Sequence, residues 1–350
     1  MTKLTRTAIL TRKLIRIGFF TLIFLISLRF FINTSVKIFR YFFPKPPPPP
    51  TVGFGKLPSL PFPEKQKPAN LNLILETPDG DLPQFANQAK VYFMPQITAN
   101  LLSLDATKQK ATKLGFNPEG VQESDTIYLF THPKVPAKLR VNTVTGVFSI
   151  SYDLVSDNTP IQRNPPAPEA ARASIENYLK AGGVLPADIT GPTQEEYIKI
   201  TEGKLTRAIS LSEANLVKIN FFRQAYDELP SLTPEPAKGN VWFMASGATE
   251  REKTVVAGEF HYFPVDAEKF ETYPIKTSQA AWEELKTGGG YLANAGTLTK
   301  EGSTLKIRRI YLAYYDAGVP TEFFQPIIVF EGDGGYTAYV SGVASEYYGN

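Results

Sequence analysis

Cysteine is absent from the 350-residue chain, and histidine occurs only at positions 132 and 261. Without thiols, the chain has no disulfide, no thiolate metal site and no cysteine nucleophile. His132 lies in a THPK turn and His261 in an FHYFP strand, where a hydrogen-bonded structural role is the expected one. Two histidines are too few for a histidine-rich metal site or an HExxH helix, and a Ser–His–Asp arrangement would have to use one of them. The sequence therefore predicts no metal ion and no cofactor.

Motifs that would indicate catalysis or nucleotide binding are also missing. No GxSxG nucleophile elbow occurs, and the run Gly288–Gly290 follows a predicted helix without the Lys-Ser/Thr of a phosphate loop, which is typical of a helix stop. Glu283 and Glu284 are adjacent on that helix and point apart, so they do not suit paired-carboxylate chemistry. The acidic turns at Asp79–Asp81 and Glu331–Asp333 lack the ligand spacing of a calcium loop. We predict no catalytic residue and a protein that is not an enzyme.

Acidic residues are absent from the first 45 positions, although nine lysines and arginines occur there. The formal net charge of +3 therefore conceals a mildly acidic remainder. A nucleic-acid-binding domain needs a basic folded surface, so the sequence predicts no nucleic-acid partner. A basic flank of this kind is typical of a membrane segment instead.

A long apolar run follows the basic start of the chain. Residues 14–32 read LIRIGFFTLIFLISLRFFI, which at about 1.5 Å per residue matches the ~30 Å hydrocarbon core of a bilayer. We predict a transmembrane helix with an interfacial continuation over residues 14–43, in which Arg16 and Arg29 extend to the headgroups. No small-x-small cleavage pattern follows, so the helix is expected to remain as an anchor. The side chains predicted to contact lipid are Ile17, Phe19, Phe20, Leu22, Ile23, Phe24, Leu25, Ile26 and Leu28.

The segments on either side of this helix complete the predicted N-terminal organisation. Residues 1–13 form a basic tail that favours a cytoplasmic N-terminus, although basic residues lie on both sides of the span. Residues 44–68 are rich in proline and predict a stiff polyproline II spacer, with an SH3 or WW ligand as the competing interpretation. Phe54, Leu57, Leu60 and Phe62 are too apolar for a pure spacer, so part of the segment is expected to lie along the folded domain.

Three times after the spacer, a helical pattern is followed by alternating strands. We interpret these stretches as three α+β units over residues 69–160, 161–276 and 277–350, each with a helix on an antiparallel sheet. The predicted helices cover Ala99–Leu114, a stretch from Ala167 to Gly182–Gly183, and a stretch from Ser278 to Gly288. The predicted strands are Thr126–Phe130, Ala137–Asn142, Val147–Tyr152, Tyr197–Ile200, Leu216–Phe222, Val241–Ala245, Glu259–Pro264, Leu305–Tyr315, Phe323–Glu331 and Tyr336–Val343. The alternation of apolar and polar residues shifts by one position within Leu305–Tyr315, which predicts a β-bulge near Arg308–Arg309.

Two patterns in this region resemble known families. A helix that ends in LGF, followed by IYLF and LRVNTVTGVFSISY, resembles the PepSY-type extracytoplasmic units, a cystatin-like arrangement of one helix on a short antiparallel sheet. The stretches EANLVKINFFR, YPIKTSQAAWEELKTGGGYLA, IYLAYY and FFQPIIVFEG resemble the YycH/YycI type of membrane-anchored kinase regulators. The resemblances cover residues 99–152 and about 197–343. They imply one membrane helix and an external domain that binds other envelope proteins, and no functional residue carries over.

An aromatic cluster near the C-terminus is the candidate partner surface if any of it is exposed, although core packing is the commoner role of such clusters. It consists of Tyr311, Tyr314, Tyr315, Phe323, Phe324 and Tyr339.

The anchor, the spacer and the lack of catalytic motifs together predict a single-pass membrane protein with a cytoplasmic N-terminus and an extracytoplasmic domain. We expect this domain to be a non-catalytic binding or regulatory module, whose partners are the lipid bilayer and another envelope or membrane protein. The oligomeric state stays open. So do two alternatives: a hydrolase of the cell wall or of peptides that uses one of the two histidines, and a structural subunit of a secretion or surface assembly. The helix has no GxxxG face, which counts against the last of these.

Overall fold

The computed structural model describes residues 3–42, 48–64, 72–96, 103–297 and 304–349. The chain divides into two compact units, Met1–Pro49 and Pro50–Asn350. The first residues of the predicted helix Ala99–Leu114 and the end of the predicted interfacial continuation, at Phe43, lie outside the described residues.

The first unit consists of one helix, α1 (Lys3–Phe42). Its sequence is rich in leucine, isoleucine and phenylalanine and contains no proline, so nothing interrupts the backbone ladder over 40 residues. The stretch Arg16–Phe39 is long and apolar enough to cross a membrane, and none of it is buried against protein. All nine side chains predicted to contact lipid are exposed in this stretch. A helix of this length and composition fits a membrane anchor or a signal sequence.

The second unit contains three helices and eighteen strands in the part of the chain that the structure describes. The helices are α2 (Ser103–Lys113), α3 (Pro168–Ala181) and α4 (Ser278–Lys286). The first nine strands are β1 (Asn72–Leu75), β2 (Gln88–Phe93), β3 (Val121–Gln122), β4 (Ile127–Thr131), β5 (Ala137–Asn142), β6 (Phe148–Tyr152), β7 (Thr193–Thr201), β8 (Lys204–Arg207) and β9 (Leu216–Phe221). The other nine are β10 (Ser231–Leu232), β11 (Val241–Ala245), β12 (Val255–Phe260), β13 (Asp266–Pro274), β14 (Tyr291–Asn294), β15 (Thr304–Tyr315), β16 (Phe323–Phe324), β17 (Pro326–Gly332) and β18 (Thr337–Ser341).

The largest layer is a nine-stranded antiparallel sheet with the order β3-β4-β5-β6-β12-β11-β9-β7-β8. Helices α2 and α3 cover one face, and their buried side chains join the core formed by alternate residues of the strands. In β5, for example, Leu139 and Val141 are buried while Lys138 and Arg140 are exposed on the other face. This alternation is typical of an antiparallel sheet with one wet face.

A second sheet has the order β1-β15-β17-β18-β14, with β10 also paired to β15. Helix α4 packs on one face, where Ala281, Trp282 and Leu285 meet Ile328 and Phe330. Thr277 caps the start of α4, because its hydroxyl accepts a hydrogen bond from the amide of Ala280 at 3.1 Å. A third sheet of three strands, β13-β2-β16, completes the unit.

The predicted α+β class is confirmed, with mostly antiparallel sheets, whereas the predicted repeat of helix-plus-sheet units is not confirmed by the described residues. Strand β6 of the first predicted unit pairs with β12 of the second, with Phe148 opposite Phe260, so both units share one sheet and one core. Strand β13 of the second predicted unit pairs with β2 of the first, which also pairs with β16 of the third. Alternation in a strand shows which side chains face a core but not which strands are neighbours, so the boundaries at 160 and 276 could not be read from it.

Individual elements follow the sequence patterns more closely. The bulge predicted near Arg308–Arg309 is confirmed, because the β15–β17 register shifts between Ile307 and Arg309. The predicted strand Glu259–Pro264 lies earlier, as β12, and the predicted strand Phe323–Glu331 is divided between two sheets. The strands missed were mostly short, among them β1, β3, β8, β10 and β14.

The second half of the predicted spacer belongs to the folded unit. Residues 51–63, which we name the strap, pack along the sheets, and Leu57 is fully buried. The amide of Leu57 donates to Tyr347 O at 2.8 Å, and the amide of Gly349 donates back to Leu57 O at 2.9 Å. The expectation that the apolar residues of this segment lie along the domain is confirmed. The spacer predicted over residues 44–68 does not extend through the strap, because docking buries Leu57 and Leu60 and half-buries Phe54 and Phe62.

Candidate binding groove

The open face of the nine-stranded sheet carries a straight row of polar and aromatic side chains. Cross-strand pairing aligns Arg140 with Ser149, Ser149 with Glu259, Glu259 with Trp242, and Trp242 with Asn220. The row therefore runs across five neighbouring strands, β5, β6, β12, β11 and β9. Directly opposed side chains on one face lie about 5 Å apart. Arg140, Ser149, Glu259 and Trp242 are at least partly exposed, whereas Asn220 is fully buried and donates to Glu196 at 2.8 Å.

Two adjoining clefts open along this row, and they share Glu259, His261 and Gly318. The first has a volume of about 370 Å³ and the second about 200 Å³. Together we name them the His261 groove. The first cleft is lined by Ile127, Arg140, Asn142, Thr145, Val147, Phe148, Ser149, Phe263, Val319 and Pro320 in addition to the shared residues. The second is lined by Pro234, Glu235, Lys238, Gly239, Asn240, Trp242 and Ala317 in addition to the same three.

Glu259 is the centre of the groove's polar contacts. The indole Nε1 of Trp242 donates to Glu259 Oε2 at 3.2 Å, and His261 Nε2 lies 3.8 Å from the same oxygen. The Lys218 ammonium lies 4.8 Å from the centroid of the Trp242 ring and pairs with Glu196 at 2.8 Å. The indole is thus held by a carboxylate on its edge and a cation on its face.

The roof of the groove is the loop that follows β15, and Gly318 is required there. Its φ of +68° lies in the left-handed region, and a Cβ at this position would lie 2.6 Å from the Asn240 side-chain oxygen. Asn240 Nδ2 in turn donates to Asp316 O at 2.8 Å, which fixes the loop against β11. A residue with a side chain at 318 would move the roof of both clefts.

A buried arginine holds the back of the groove. The Arg223 side chain is fully buried and follows β9 of the large sheet, while Asp316 follows β15 of the second sheet. Arg223 Nε donates to Asp316 Oδ2 at 2.9 Å, Nη1 donates to Asp188 Oδ2 at 2.5 Å, and Nη2 donates to Phe263 O at 2.5 Å. Because Phe263 lines the first cleft and Asp316 starts the roof loop, one guanidinium positions two walls.

The charge on Arg223 is stabilised in place. Burial disfavours the cation, but the carboxylates of Asp316 and Asp188 outweigh it, so the pKa of Arg223 lies above its usual value. The hydroxyls of Tyr226 and Tyr262 also donate to Asp188, at 3.0 and 2.8 Å. Burial first, and the Asp188 charge second, raise the pKa of both tyrosines, so they remain neutral donors.

The two histidines lie in separate clefts and have different surroundings. His132 Nδ1 accepts a hydrogen bond from the Lys134 amide at 3.2 Å, its ring meets Phe116 edge-on at 5.5 Å, and burial lowers its pKa. This is the structural role expected for a turn histidine. The His261 ring makes no hydrogen bond within the described residues and lies in the groove beside Glu259. Within the same residues, no group of three or more metal-ligating side chains is suited to hold a metal ion.

The aromatic cluster proposed as a partner surface is largely interior. Four of its six members, Tyr314, Tyr315, Phe324 and Tyr339, are at most 2 % exposed, and the other two, Tyr311 and Phe323, are half-buried. Tyr314 and Phe324 stack at 5.1 Å within the core between the sheets. The cluster therefore forms no continuous exposed surface, and core packing accounts for it, because both faces of β15 and β17 are covered.

The residues of the groove were missed by the sequence analysis, apart from His261. Trp242 lies in the apolar run VWFMA, where nothing marks it as facing away from the core. The outward position of Arg140 was readable from alternation, but its alignment with Ser149, Glu259 and Trp242 depends on the order and register of strands.

Comparisons with known proteins add little to this description. No family model matches the sequence, and no curated protein matches it. Among solved structures, the chain is similar to an uncharacterised protein from Eubacterium rectale, with 11 % identity, a TM-score of 0.35, and coverage of 73 % of this chain and 82 % of that one.

Proposed function

We propose that the protein is a membrane-anchored, extracytoplasmic binding module that recognises a segment of another envelope protein in the His261 groove. The observation that carries the proposal is the open sheet face, where a row of polar and aromatic side chains lines two clefts that share Glu259 and His261. Concave clefts that combine apolar walls with convergent polar groups are the usual form of ligand sites.

The chemistry of the walls favours a polypeptide as the ligand. Val147, Val319 and Phe263 offer apolar contacts, while Arg140, Glu259 and His261 offer charges and hydrogen-bonding groups of both kinds. A peptide carries apolar side chains and a polar backbone along one line, which matches this mixture. Arg140 already pairs with Glu123 at 2.7 Å, so the cation is oriented before a ligand arrives.

The membrane part of the proposal depends on α1. Its apolar stretch Arg16–Phe39 has the length of a membrane span, and the absence of acidic residues before position 46 suits a helix that inserts beside anionic headgroups. The basic residues before the span support a cytoplasmic N-terminus. The cysteine-free chain allows a direct test, in which single cysteines at Val155, which is 94 % exposed, and at Thr5 are labelled in intact cells with a membrane-impermeant maleimide. We expect label on V155C only, and label on T5C alone would reverse the orientation.

The groove itself is tested by photocrosslinking in the native membrane. A photoreactive phenylalanine analogue is placed at Val319 in the groove, or at Val155 as the control outside it. We expect a discrete protein adduct from position 319 that is lost when Glu259→Gln is added, and no such adduct from position 155. The same adducts from both positions, or none from position 319, would contradict the proposal.

A hydrolase acting on the cell wall or on peptides is the second candidate, and the closeness of Glu259 to His261 favours it. A carboxylate beside an imidazole orients that base for proton transfer, and Ser149 lies opposite Glu259 on the neighbouring strand. Isolated cell wall and a peptide library are incubated with wild-type protein, His261→Gln and the control His132→Gln. Hydrolysis lost only in H261Q would support this candidate, whereas the same products from wild type and H261Q would end it.

A further inference from the structure

The strap crosses the face of the second sheet that lies opposite α4, and its side chains enter a trough lined by tyrosines. We name Tyr291, Tyr315 and Tyr339, with Ile327 and Val329 beneath them, the tyrosine trough. The Phe62 ring stacks on Tyr291, with centroids 4.9 Å apart and an interplanar angle of 3°, and meets Tyr315 edge-on at 4.9 Å. Leu60 is 9 % exposed and packs in the same cluster. Apolar and aromatic contacts therefore dominate this docking.

Few backbone hydrogen bonds hold the strap over the trough. Gln325 Nε2 donates to Pro58 O at 3.0 Å. Between Ser59 and Pro63, the strap makes no hydrogen bond to the rest of the described chain, and the amide of Phe62 donates only to Leu60 O, at 2.8 Å. Prolines at positions 58, 61 and 63 remove three amide donors and fix φ, and the bond from Phe62 to Leu60 forms a γ-turn around Pro61. An extended proline-containing segment on an aromatic-lined surface is the arrangement by which polyproline II ligands are recognised.

The docked strap leaves polar atoms of the trough unsatisfied. The hydroxyl of Tyr315 and the Oε1 atom of Gln325 are buried and have no hydrogen-bond partner among the described residues. Both residues contact the strap, Tyr315 through Phe62 and Gln325 through Pro58. Buried polar atoms are nearly always paired in folded proteins, so these two oppose the docked state. Water or a better-matched ligand would satisfy them once the strap leaves.

We propose that the tyrosine trough is an exchangeable site for extended proline-containing peptides, which the strap occupies within its own chain and which a partner peptide occupies when it displaces the strap. The fitting peptide carries an aliphatic and an aromatic side chain with the spacing of Leu60 and Phe62, separated by proline. Displacement of the whole strap also breaks the hydrogen bonds of the Val52 amide to Thr272 O and of the Leu57 amide to Tyr347 O, at 3.0 and 2.8 Å. The trough adjoins the second cleft of the His261 groove, because the Tyr291 hydroxyl donates to Pro234 O at 3.1 Å, but the inference does not depend on the ligand of that groove.

The absence of native cysteine gives a clean assay in the full-length protein reconstituted in lipid nanodiscs. Leu60→Cys reports strap opening by its rate of reaction with a maleimide, while Ser151→Cys on the open sheet face and Val329→Cys on the trough floor are the exposed and buried controls. The probe is the peptide KLPSLPFP, the sequence of residues 56–63, and the control peptide is KLPSSPSP. At a concentration ten times its Kd, a ligand of the open state raises the opening equilibrium about tenfold.

We expect L60C to react more slowly than S151C, about tenfold faster with the probe peptide, and at an unchanged rate with the control peptide. Three results would each overturn the proposal: both peptides accelerate the reaction equally, neither peptide accelerates it, or L60C without peptide reacts as fast as S151C. Because Leu60→Cys itself weakens docking, hydrogen exchange of the wild type supplies a second test. The Leu57 amide is expected to exchange faster than the Ile328 amide, and faster still when the probe peptide is present. Equal exchange rates at the two amides that do not change with the peptide would overturn the proposal.

Discussion

The buried guanidinium of Arg223 allows a stability prediction of definite size. The side chain is fully buried, and its two carboxylate partners, Asp188 and Asp316, are 13 % and 8 % exposed. Arg223→Met keeps the apolar stem but leaves two carboxylates in a site with little water. Removing one partner from a buried ion pair costs about 3–5 kcal/mol, because the remaining charge is left without compensation. For a domain of this size the melting temperature falls on the order of 10 °C.

The matched control is Arg140→Met, which makes the same substitution in a surface ion pair. Arg140 and Glu123 are 56 % and 36 % exposed, so solvent screens the pair and its loss costs at most about 1 kcal/mol. Since the pKa of Arg223 is raised above its unfolded value, its contribution is fully present below that unfolded value and is lost only as the pH rises through the folded value. Arg223 therefore stays charged in the wild type from pH 6 to pH 9, and its own titration adds no pH dependence to the stability over that range.

Tryptophan fluorescence during urea unfolding measures both the size of the effect and its location. Trp242 lies on the large sheet and Trp282 on α4 of the second sheet, so single-tryptophan variants follow the two layers separately. We expect coincident transitions in the wild type and separated ones in R223M, because Arg223 joins the layers. Equal destabilisation by R223M and R140M would refute the argument. So would exact additivity of Arg223→Met and Asp316→Asn in a double-mutant cycle, since coupled residues deviate by about 0.5–3 kcal/mol.

Three further predictions concern the roof loop, an acidic turn and the anchor. Gly318→Ala should destabilise the protein more than Gly203→Ala. Both glycines have a positive φ, but only a Cβ at position 318 would meet a neighbour, the Asn240 side chain. Thermal melts compare the two variants, and equal shifts of the melting temperature would contradict the steric argument. Hydrogen bonds from Thr159 lower the pKa of Asp157, so its contribution to stability is present above its unfolded pKa of about 3.9 and lost as the pH falls through the lower folded value. Asp157→Asn should therefore lower the melting temperature at pH 7 and at pH 5 alike, with a difference that shrinks only below about pH 4. Phe24→Asp makes the free energy of membrane insertion less favourable by about 3 kcal/mol at the centre of a span. It should therefore shift protein from the carbonate-resistant membrane fraction to the soluble fraction. An unchanged distribution would argue against insertion.

The sequence predicts those features of the fold that depend only on neighbouring residues in the chain. The bulge in β15 could be predicted because a change of apolar phase along one strand is visible within that strand, at Ile307 and Arg309. The pairing of β6 with β12 could not, since Phe148 and Phe260 are more than 100 residues apart and many register choices satisfy the same alternation. The burial of the aromatic cluster likewise follows from elements that pack on it from elsewhere in the chain.

The sequence by itself determined the apolar N-terminal helix, the α+β class, the helix stops at glycine and the lack of thiol chemistry, because each follows from residue type and short-range periodicity. Only the tertiary structure decided that Arg140, Ser149, Glu259 and Trp242 form one row, that Arg223 joins two sheets, and which surface residues 51–63 dock on. These depend on contacts between distant segments, and their free energy comes from burial and charge pairing that exist only after the chain has folded.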